Sequence, residues 1–246
     1  MELPTYVALS RLAAQQRALD VTASNLANAS TPGFKASRVL FTDWLSSQTG
    51  TEAQGADRKV SYTQDRATYR EQQPGALQNT SNPLDLAISG EGYFTVGTPR
   101  GPRLTRAGHF TQQANGTIGD MDGNALLSSS GSPLRIAPTD TAITVTPDGT
   151  ISTESGEIGR VGVVMPSDAN RMTAEGNRDL RADADTAAVT QPKIVQGAVE
   201  DSNVQSVVET TRMMSDLRSF QFTTQFVQAE ADRMQSAIDK ITARKM

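Results

Sequence analysis

The sequence predicts an α+β fold in which long N- and C-terminal helices pair as a coiled coil and a small all-β domain, barrel- or sandwich-like, lies between them in the chain. Proline is absent from residues 5–31 and after Pro192, whereas fourteen of the nineteen glycines fall within residues 75–162. Long proline-free segments are typical of helices, and closely spaced glycine turns are typical of antiparallel β domains. We therefore divide the chain into four segments: an N-terminal helix with its end (residues 1–35), an extended arm (36–73), the β domain (74–197) and a C-terminal helix (198–246).

The N-terminal helix is predicted to begin at Pro4, whose fixed φ suits a first helical turn, and to end by Thr31. Pro32 disfavours the α conformation at the residue before it, and Gly33 follows. An apolar stripe with heptad spacing runs along this helix, and only Gln16 interrupts it. Its members are Leu9, Leu12, Gln16, Leu19, Ala23 and Leu26.

The segment after this helix, residues 36–73, is rich in Ser, Thr, Gln and charged residues and has few apolar anchors. We expect an irregular arm with at most a short hairpin, ordered poorly or by a partner.

The β domain is predicted from short alternating runs separated by turn dipeptides, among them Asn115-Gly116 and Asp122-Gly123. The strongest hairpin signal is Asp148-Gly149, which separates the alternating residues 143–146 from residues 150–152. We expect the domain to end near Val164 and a looser polar stretch to follow at residues 167–191.

The C-terminal helix is predicted over residues 203–244, with a capping box formed by Ser202 and Gln205 at its start. Its seam positions alternate in spacing between four and three residues. They are Met213, Leu217, Phe220, Thr224, Val227, Ala231, Met234, Ile238 and Ile241. A 3.5-residue repeat held over four heptads is typical of a coiled-coil seam.

The two helices differ in the length of their seams. The N-terminal stripe spans about 18 residues, so an intramolecular helical hairpin would leave part of the C-terminal seam uncovered. We therefore expect other chains to cover the remainder. Since isolated helices are marginal in water, we expect both terminal segments to order fully only on association.

Composition excludes several classes of function. The net charge is −4, with acidic and basic residues interspersed, so nucleic acid is not an expected partner. The sequence contains no run of eighteen apolar residues, so no transmembrane helix is predicted, and no cleaved signal peptide is visible in the first thirty residues. The absence of cysteine excludes disulfides, thiol catalysis and thiolate metal sites.

No set of residues suited to catalysis is found. The single histidine, His109, lies on a predicted strand, where we expect a structural or surface role. The calcium-loop-like residues 120–124 lack the required glycine and glutamate, since Ala125 and Gly131 stand at those positions, and are predicted to form a turn. We expect no enzyme activity, no cofactor, no metal site and no small-molecule substrate.

Four motifs, in this order, resemble those of the axial proteins of the bacterial flagellum, specifically the rod and hook group. They are residues 23–35 (ASNLANASTPGFK), 74–94 (PGALQNTSNPLDLAISGEGYF), 104–110 (LTRAGHF) and 196–204 (QGAVEDSNV). The size of the chain and residues 21–25 are most similar to the proximal rod members of this group. Residues 36–73 match nothing distinctive.

The resemblance implies a structural subunit of the basal-body rod, which spans the periplasm, exported unfolded from the cytoplasm by the flagellar type III apparatus without cleavage of a signal. Its expected partners are that export apparatus, other rod proteins and copies of itself. The terminal helices would form an inner tubular layer, with the β domain outside it and residues 25–34 as a packing elbow. Asn25 and Asn28 would either cap or cross-link neighbouring helices or face solvent. The expected assembly interface consists of Leu9, Leu12, Leu19, Asn25, Leu26, Asn28, Pro32, Gly33, Phe34, Met213, Leu217, Phe220, Val227, Met234, Ile238 and Ile241.

Two alternatives remain at this stage. The chain could be a distal rod or hook subunit of the same group, which would form long polymers rather than short stacks. In a different class, it could be a β-domain adhesin on a coiled-coil stalk. The adhesin alternative requires an exposed aromatic cluster, and we expect Tyr93, Phe94 and Phe110 to be core residues instead.

Overall fold

The computed structural model describes residues 3–48, 58–176 and 178–243. The chain divides into two units. The helical unit contains both terminal helices and the strands that follow the first of them, and the β unit consists of residues 28–36 and 70–204. The chain therefore passes from one unit to the other four times. Residues 28–36 and 198–204 belong to the β unit, whereas the sequence analysis grouped residues 28–35 and 198–204 with the terminal helices and residue 36 with the arm.

The helical unit is built from helices α1 (Leu3–Ala27) and α2 (Ser206–Ala243) and strands β1 (Ser37–Gln48) and β2 (Arg58–Arg70), which pair as a two-stranded sheet. Helix α1 contacts both α2 and β1. A side-chain hydrogen bond joins Asn25, near the end of α1, to Glu209, in the first turn of α2. The two helices are therefore antiparallel. At 25 and 38 residues their lengths are about 37 and 57 Å.

The structure corrects two expectations for this unit. The segment 36–73 contains two strands of twelve and thirteen residues rather than an irregular arm; β-branched and aromatic residues on both strands suit this pairing. Helix α2 begins at Ser206, so the capping box is wrong. The Ser202 hydroxyl instead accepts a hydrogen bond from the amide of Val204 at 3.2 Å, and the predicted end at Arg244 lies outside the described residues.

The β unit contains sixteen strands in its described residues. In chain order they are β3 (Leu77–Asn79), β4 (Leu86–Ile88), β5 (Tyr93–Thr98), β6 (Gly101–Thr105), β7 (Thr111–Gln112), β8 (Ile118–Gly119), β9 (Ala125–Leu126), β10 (Ile143–Val145), β11 (Thr150–Thr153), β12 (Gly156–Arg160), β13 (Val163–Pro166), β14 (Met172–Glu175), β15 (Asp179–Ala182), β16 (Thr186–Ala188), β17 (Ile194–Gln196) and β18 (Ala198–Glu200).

These strands form open antiparallel sheets. The largest has nine strands in the order β14-β15-β6-β5-β9-β8-β7, with β13 pairing both β5 and β16. Strands β10-β11-β12 form a second sheet, and β17-β4 and β18-β3 form two-stranded sheets. The stretch expected to be loose, residues 167–191, contains β14, β15 and β16. Its polar residues fit strands with one face in solvent.

The larger of two apolar clusters in the β unit lies around Phe94 and Phe110, whose rings meet edge to face at 5.4 Å, and the smaller contains Tyr93, Leu104 and Met172. Tyr93, Phe94 and Phe110 are buried, as predicted. The predicted hairpin is confirmed, because β10 and β11 pair through Val145 and Ile151 around Asp148-Gly149, with Gly149 at φ +91°.

Neither helix in the described residues has the length and apolar character needed to cross a membrane.

Candidate assembly interface

The covered side of α2 is a heptad stripe, but it is not the stripe that the apolar residues alone predict. Its buried and half-buried positions are Glu209, Met213, Asp216, Phe220, Thr223, Val227, Glu230 and Met234. Four of the predicted seam residues, Met213, Phe220, Val227 and Met234, lie on this side. The other covered positions, Asp216, Thr223 and Glu230, each lie one residue before a predicted seam residue. Leu217, which follows Asp216, is therefore 40% exposed.

The covered side of α1 is lined by small residues. Ala8, Ala14, Thr22 and Asn25 are buried. The predicted positions Leu12, Leu19 and Leu26 are half-buried at its margin. Leu9 is 59% exposed and lies on the other side of the helix.

Helix α2 keeps large apolar side chains in solvent around its circumference and at its end. Burial stops at Met234, and the predicted seam residues beyond it, Ile238 and Ile241, are 54% and 65% exposed. The other exposed apolar side chains on α2 are Val207, Val208, Met214, Phe222 and Phe226. Such a helix has more apolar surface than its own chain covers.

The helix pair is joined by a buried polar cluster of Asn25, Arg38 and Glu209, which we call the helix-pair cluster. Asn25 is fully buried; its amide nitrogen donates to the Ser37 carbonyl at 2.9 Å, and its amide oxygen accepts from the Ser37 amide at 2.8 Å. Its nitrogen also lies 3.3 Å from the Glu209 carboxylate. Asn25 therefore cross-links α1, β1 and α2 within one chain. Of the roles that the sequence left open for Asn25, a solvent-facing position does not fit this burial.

Glu209 is held at the start of α2 by two guanidinium groups. Its carboxylate accepts from Arg38 at 2.7 Å and from Arg212 at 3.2 Å, while only 1% of its side chain is exposed. A carboxylate in the first turn also interacts favourably with the helix dipole. This buried charge is therefore well compensated.

In the β unit, residues 28–36 form the segment that we call the elbow; the resemblance implied an elbow over residues 25–34, and Pro32 and Gly33 predicted the end of the helix before it. Asn28 and Thr31 form its turn through a 3.1 Å backbone hydrogen bond, and Asn28, Pro32, Gly33 and Phe34 are each half-buried. The Gly33 amide donates to the carbonyl of Glu200 at 2.7 Å. Gly33 has φ +72°, and a Cβ there would lie 2.3 Å from the carbonyl carbon of Arg106. Glycine is therefore required at this position both by conformation and by space.

Beneath the elbow lies a second buried polar cluster, the elbow cluster, formed by Lys35, Arg106 and Glu200. The Glu200 carboxylate contacts the Lys35 ammonium at 2.5 Å and the Arg106 guanidinium at 2.8 Å, and it accepts from the Gly75 amide at 3.0 Å. The exposed fractions of the three side chains are 4%, 7% and 1%. Burial lowers the pKa of Lys35, with Glu200 opposing and Arg106 reinforcing this shift.

Backbone carbonyl groups around the elbow cluster accept further hydrogen bonds from its cations. Lys35 donates to the carbonyl of Gln73 at 2.9 Å, and Arg106 donates to the carbonyls of Ile88 and Gly90. The Arg106 guanidinium also lies 5.4 Å from the centre of the Tyr93 ring, a cation–π geometry. The elbow cluster thus joins the elbow, strand β18 and the segment before β3.

Asn203 forms a further connection between the same segments. Its side-chain oxygen accepts from the Ala36 amide at 2.7 Å, and its nitrogen donates to the carbonyls of Glu71 and Gln73 at 3.3 and 3.0 Å. Its own amide donates to Phe34 at 3.3 Å. One side chain thus binds the elbow to the chain that enters β3.

His109 and Asp85 have a structural role. Asp85 is buried; its carboxylate lies 2.7 Å from His109 Nδ1 and accepts from Thr80 and Asn82 at 2.6 and 2.8 Å. These bonds fix the turn before β4. The sequence predicted a structural or a surface role for His109, and its contact with Asp85 is structural.

Sequence reasoning did not identify Lys35, Arg106, Glu200, Asn203 or Glu209 as important residues. A signal was present for Glu200, since it lies in a short strand whose residues Ala198 and Val199 are apolar, and all three are buried. A charged residue on such a strand requires a buried partner.

Comparison with known proteins gives one consistent family. A family model described as "Flagella basal body rod protein" matches residues 6–35, one described as "Flagellar hook protein FlgE/F/G D1 domain" matches residues 87–153, and one described as "Flagellar basal body rod FlgEFG protein C-terminal" matches residues 195–240. Lys35 is the last residue of the first match. Glu200, Asn203 and Glu209 lie in the third match.

Curated relatives agree over the full length. The chain is 32% identical to a flagellar basal-body rod protein FlgF of Mesorhizobium japonicum, over 99% of this chain and 100% of the relative. It is 32% identical to FlgF of Caulobacter vibrioides over 98% of both chains, and 30% identical to FlgG of Bacillus subtilis over 95% and 97%. The resemblance seen in the sequence is confirmed: the chain belongs to the flagellar basal-body rod proteins, is FlgF-like, and is a structural subunit of the rod.

Proposed function

We propose that the chain builds the rod by packing its terminal helices against those of neighbouring subunits, both copies of itself and other rod proteins. The observation that carries this proposal is the apolar surface of α2. Helix α1 covers one side of α2 only, while Phe222 and Val207 remain 72% and 80% exposed. Burying a side chain of this kind contributes about 1.5–3 kcal/mol. Repeated contacts of this size would contribute to the stability of the shaft.

The buried clusters support this assembly because they fix the positions of the surfaces through which each subunit contacts its neighbours. Asn25 and Glu209 hold α1, α2 and β1 together, so that the outward faces of the helices keep a constant relation. Lys35, Glu200 and Asn203 hold the ends of the connecting segments in the β unit. A subunit of a drive shaft has to transmit force through these connections, which favours satisfied polar clusters over loosely packed apolar contacts.

Family membership also supports a proposal about location and export. We propose that the chain works in the part of the rod that spans the periplasm and reaches it unfolded through the flagellar export apparatus. The absence of cysteine supports this route, because folding after export then needs no disulfide formation. No catalytic step forms part of this proposal.

The test is a substitution that places a charge on the exposed apolar surface of α2. Leu217→Lys should leave the monomer folded, because Leu217 is 40% exposed, yet abolish or strongly reduce motility and the recovery of the protein in basal bodies. Met121→Lys is the matched control, since Met121 is 64% exposed on the β unit and should tolerate lysine. Normal motility with Leu217→Lys would contradict assembly through this surface.

A further inference from the structure

A group of polar side chains joins the turn between β8 and β9 to the hairpin of β14 and β15 within the β unit. The Asp120 carboxylate holds this turn by accepting from the amides of Asp122 and Asn124 at 2.9 and 2.8 Å. The side-chain nitrogen of Asn124 donates to Asp120 at 3.0 Å and to Asp179, at the start of β15, at 3.2 Å. Arg178 donates to Asp122 at 3.0 Å. We call these five residues the hairpin cluster.

The acidic groups of the hairpin cluster lie close together. The side-chain nitrogen of Asn124 is within 3.2 Å of carboxylate oxygens of both Asp120 and Asp179. Those two oxygens are therefore about 6 Å apart at most, a distance at which ionisation of one carboxylate disfavours ionisation of the other. Asp122 lies in the same turn, and Glu175 faces Asp179 across the β14–β15 pairing. Asp179 thus has three acidic side chains as neighbours.

The nearby cations are paired with other carboxylates. Arg178 pairs with Asp122, and Arg103 of β6 pairs with Glu175 at 2.8 Å. Asp179 is half-buried, and it has no ion-pair partner among the residues that the structure describes. Burial and, next, the carboxylates of the turn raise the pKa of Asp179 to about 6, while the charges of Arg178 and Arg103 oppose this shift. The closed hairpin therefore favours a proton on Asp179.

The β14–β15 hairpin lies at one end of the nine-stranded sheet, where few other contacts hold it. Strand β15 pairs with β6 through Leu180 and Leu104, and the small apolar cluster contains Leu104 and Met172. The Thr105 hydroxyl and the Arg70 guanidinium donate to carbonyls of the hairpin at 3.0 and 2.9 Å. An element with so few contacts opens locally at a lower free energy than the whole unit.

We propose that the hairpin cluster makes this local opening pH-dependent, so that the β14–β15 hairpin stays closed when Asp179 is protonated and opens more often when Asp179 is ionised. Protonation removes a like charge beside Asp120 and turns the Asp179 carboxyl into a hydrogen-bond donor. The stability that this proton contributes is complete at low pH and is lost as the pH rises from about 4 to about 6. The device lies within one unit of a single chain and goes beyond the proposed role in rod assembly.

Hydrogen exchange of the purified full-length chain tests this inference, with each rate divided by the intrinsic rate at the same pH. Asp179 has a pKa of about 6 in the closed hairpin and about 4 in the open one. Protection of β14 and β15 should therefore fall about tenfold between about pH 5 and about pH 7.5. The β10–β11 hairpin is the internal control, because hydrogen bonds lower the pKa of its Asp148 and its protection should stay constant.

Two variants separate titration of Asp179 from other effects. Asp179→Asn keeps a side chain of similar size without a charge; it should abolish the fall and be better protected than the wild type at the higher pH. Asp183→Asn is the matched control on the same hairpin. Hydrogen bonds from Thr173 and Arg181 lower the pKa of Asp183, so this variant should keep the tenfold fall.

Three results would overturn the inference: a wild-type hairpin whose protection does not fall relative to β10–β11, a fall that persists in Asp179→Asn, or weaker protection of Asp179→Asn than of the wild type at the higher pH. The last result would assign the Asp179 carboxylate a structural role alone.

Discussion

Neutralising Glu200 should destabilise the β unit strongly, because its carboxylate is the counter-charge of two buried cations. In Glu200→Gln an amide of similar size remains, and its oxygen can still accept one hydrogen bond. Lys35 and Arg106, however, are only 4% and 7% exposed and lose their compensating charge. Removing one partner of a buried ion pair costs about 3–5 kcal/mol.

The measurement is urea unfolding of the full-length chain, followed by circular dichroism. With a denaturant slope of about 2 kcal/mol per molar, the midpoint should fall by about 1.5–2.5 M. Hydrogen exchange of residues 28–36 and 70–76 should accelerate first, because the Gly33 amide donates to the Glu200 carbonyl and the Gly75 amide donates to its side chain.

Two variants make the reasoning specific. Glu154→Gln removes an exposed carboxylate of the same unit, hydrogen-bonded to Thr141 at 3.0 Å, and should change stability by about 0.5 kcal/mol at most. Lys35→Met should be milder than Glu200→Gln, because one cation and one carboxylate remain paired. A loss below about 1 kcal/mol for Glu200→Gln, or an equal loss for Lys35→Met, would refute the charge-compensation argument.

Three further predictions concern single positions. In urea unfolding, Gly33→Ala should destabilise the β unit by at least about 2 kcal/mol more than Gly131→Ala, since both glycines have positive φ but only a Cβ at Gly33 would meet backbone atoms. Equal losses would show that this steric clash does not contribute. Burial and neighbouring carboxylates raise the pKa of Asp179 to about 6, so its ionisation destabilises the fold as pH rises from about 4 to 6. Asp179→Asn should therefore raise the melting temperature at pH 7 and not at pH 3.5. Asn25→Asp should place a second carboxylate beside Glu209 and accelerate hydrogen exchange in α1, whereas unchanged exchange would show that the Asn25 contacts do not hold the helix pair.

Much of the fold could be predicted from local patterns. Proline positions bounded α1 to within a few residues, because proline acts on its immediate neighbours. The Asp148-Gly149 hairpin was predicted correctly for the same reason, since a tight turn depends on two residues. The strands of residues 36–73 were not predicted, because few of their apolar residues alternate cleanly and pairing between strands is a non-local property.

The seam on α2 shows what the apolar pattern omits. Met213, Phe220, Val227 and Met234 lie on the side that the chain itself covers, and their role in assembly stays a prediction. The alternate positions Asp216, Thr223 and Glu230 are polar, so a search for apolar residues selected their neighbours instead. Apolar residues on several sides of a helix do not indicate which side its own chain covers.

The sequence by itself determined the family, the two terminal helices and the existence of a glycine-rich β domain, because each depends on motifs or on neighbouring residues. Only the tertiary structure decided which charged residues are buried together. Lys35, Arg106 and Glu200 come from three distant parts of the chain. In the other cluster, Asn25 and Arg38 are close in sequence and Glu209 is far from both. Burying a charge is favourable only beside its partner, and the partner is brought there by the fold rather than by the local sequence.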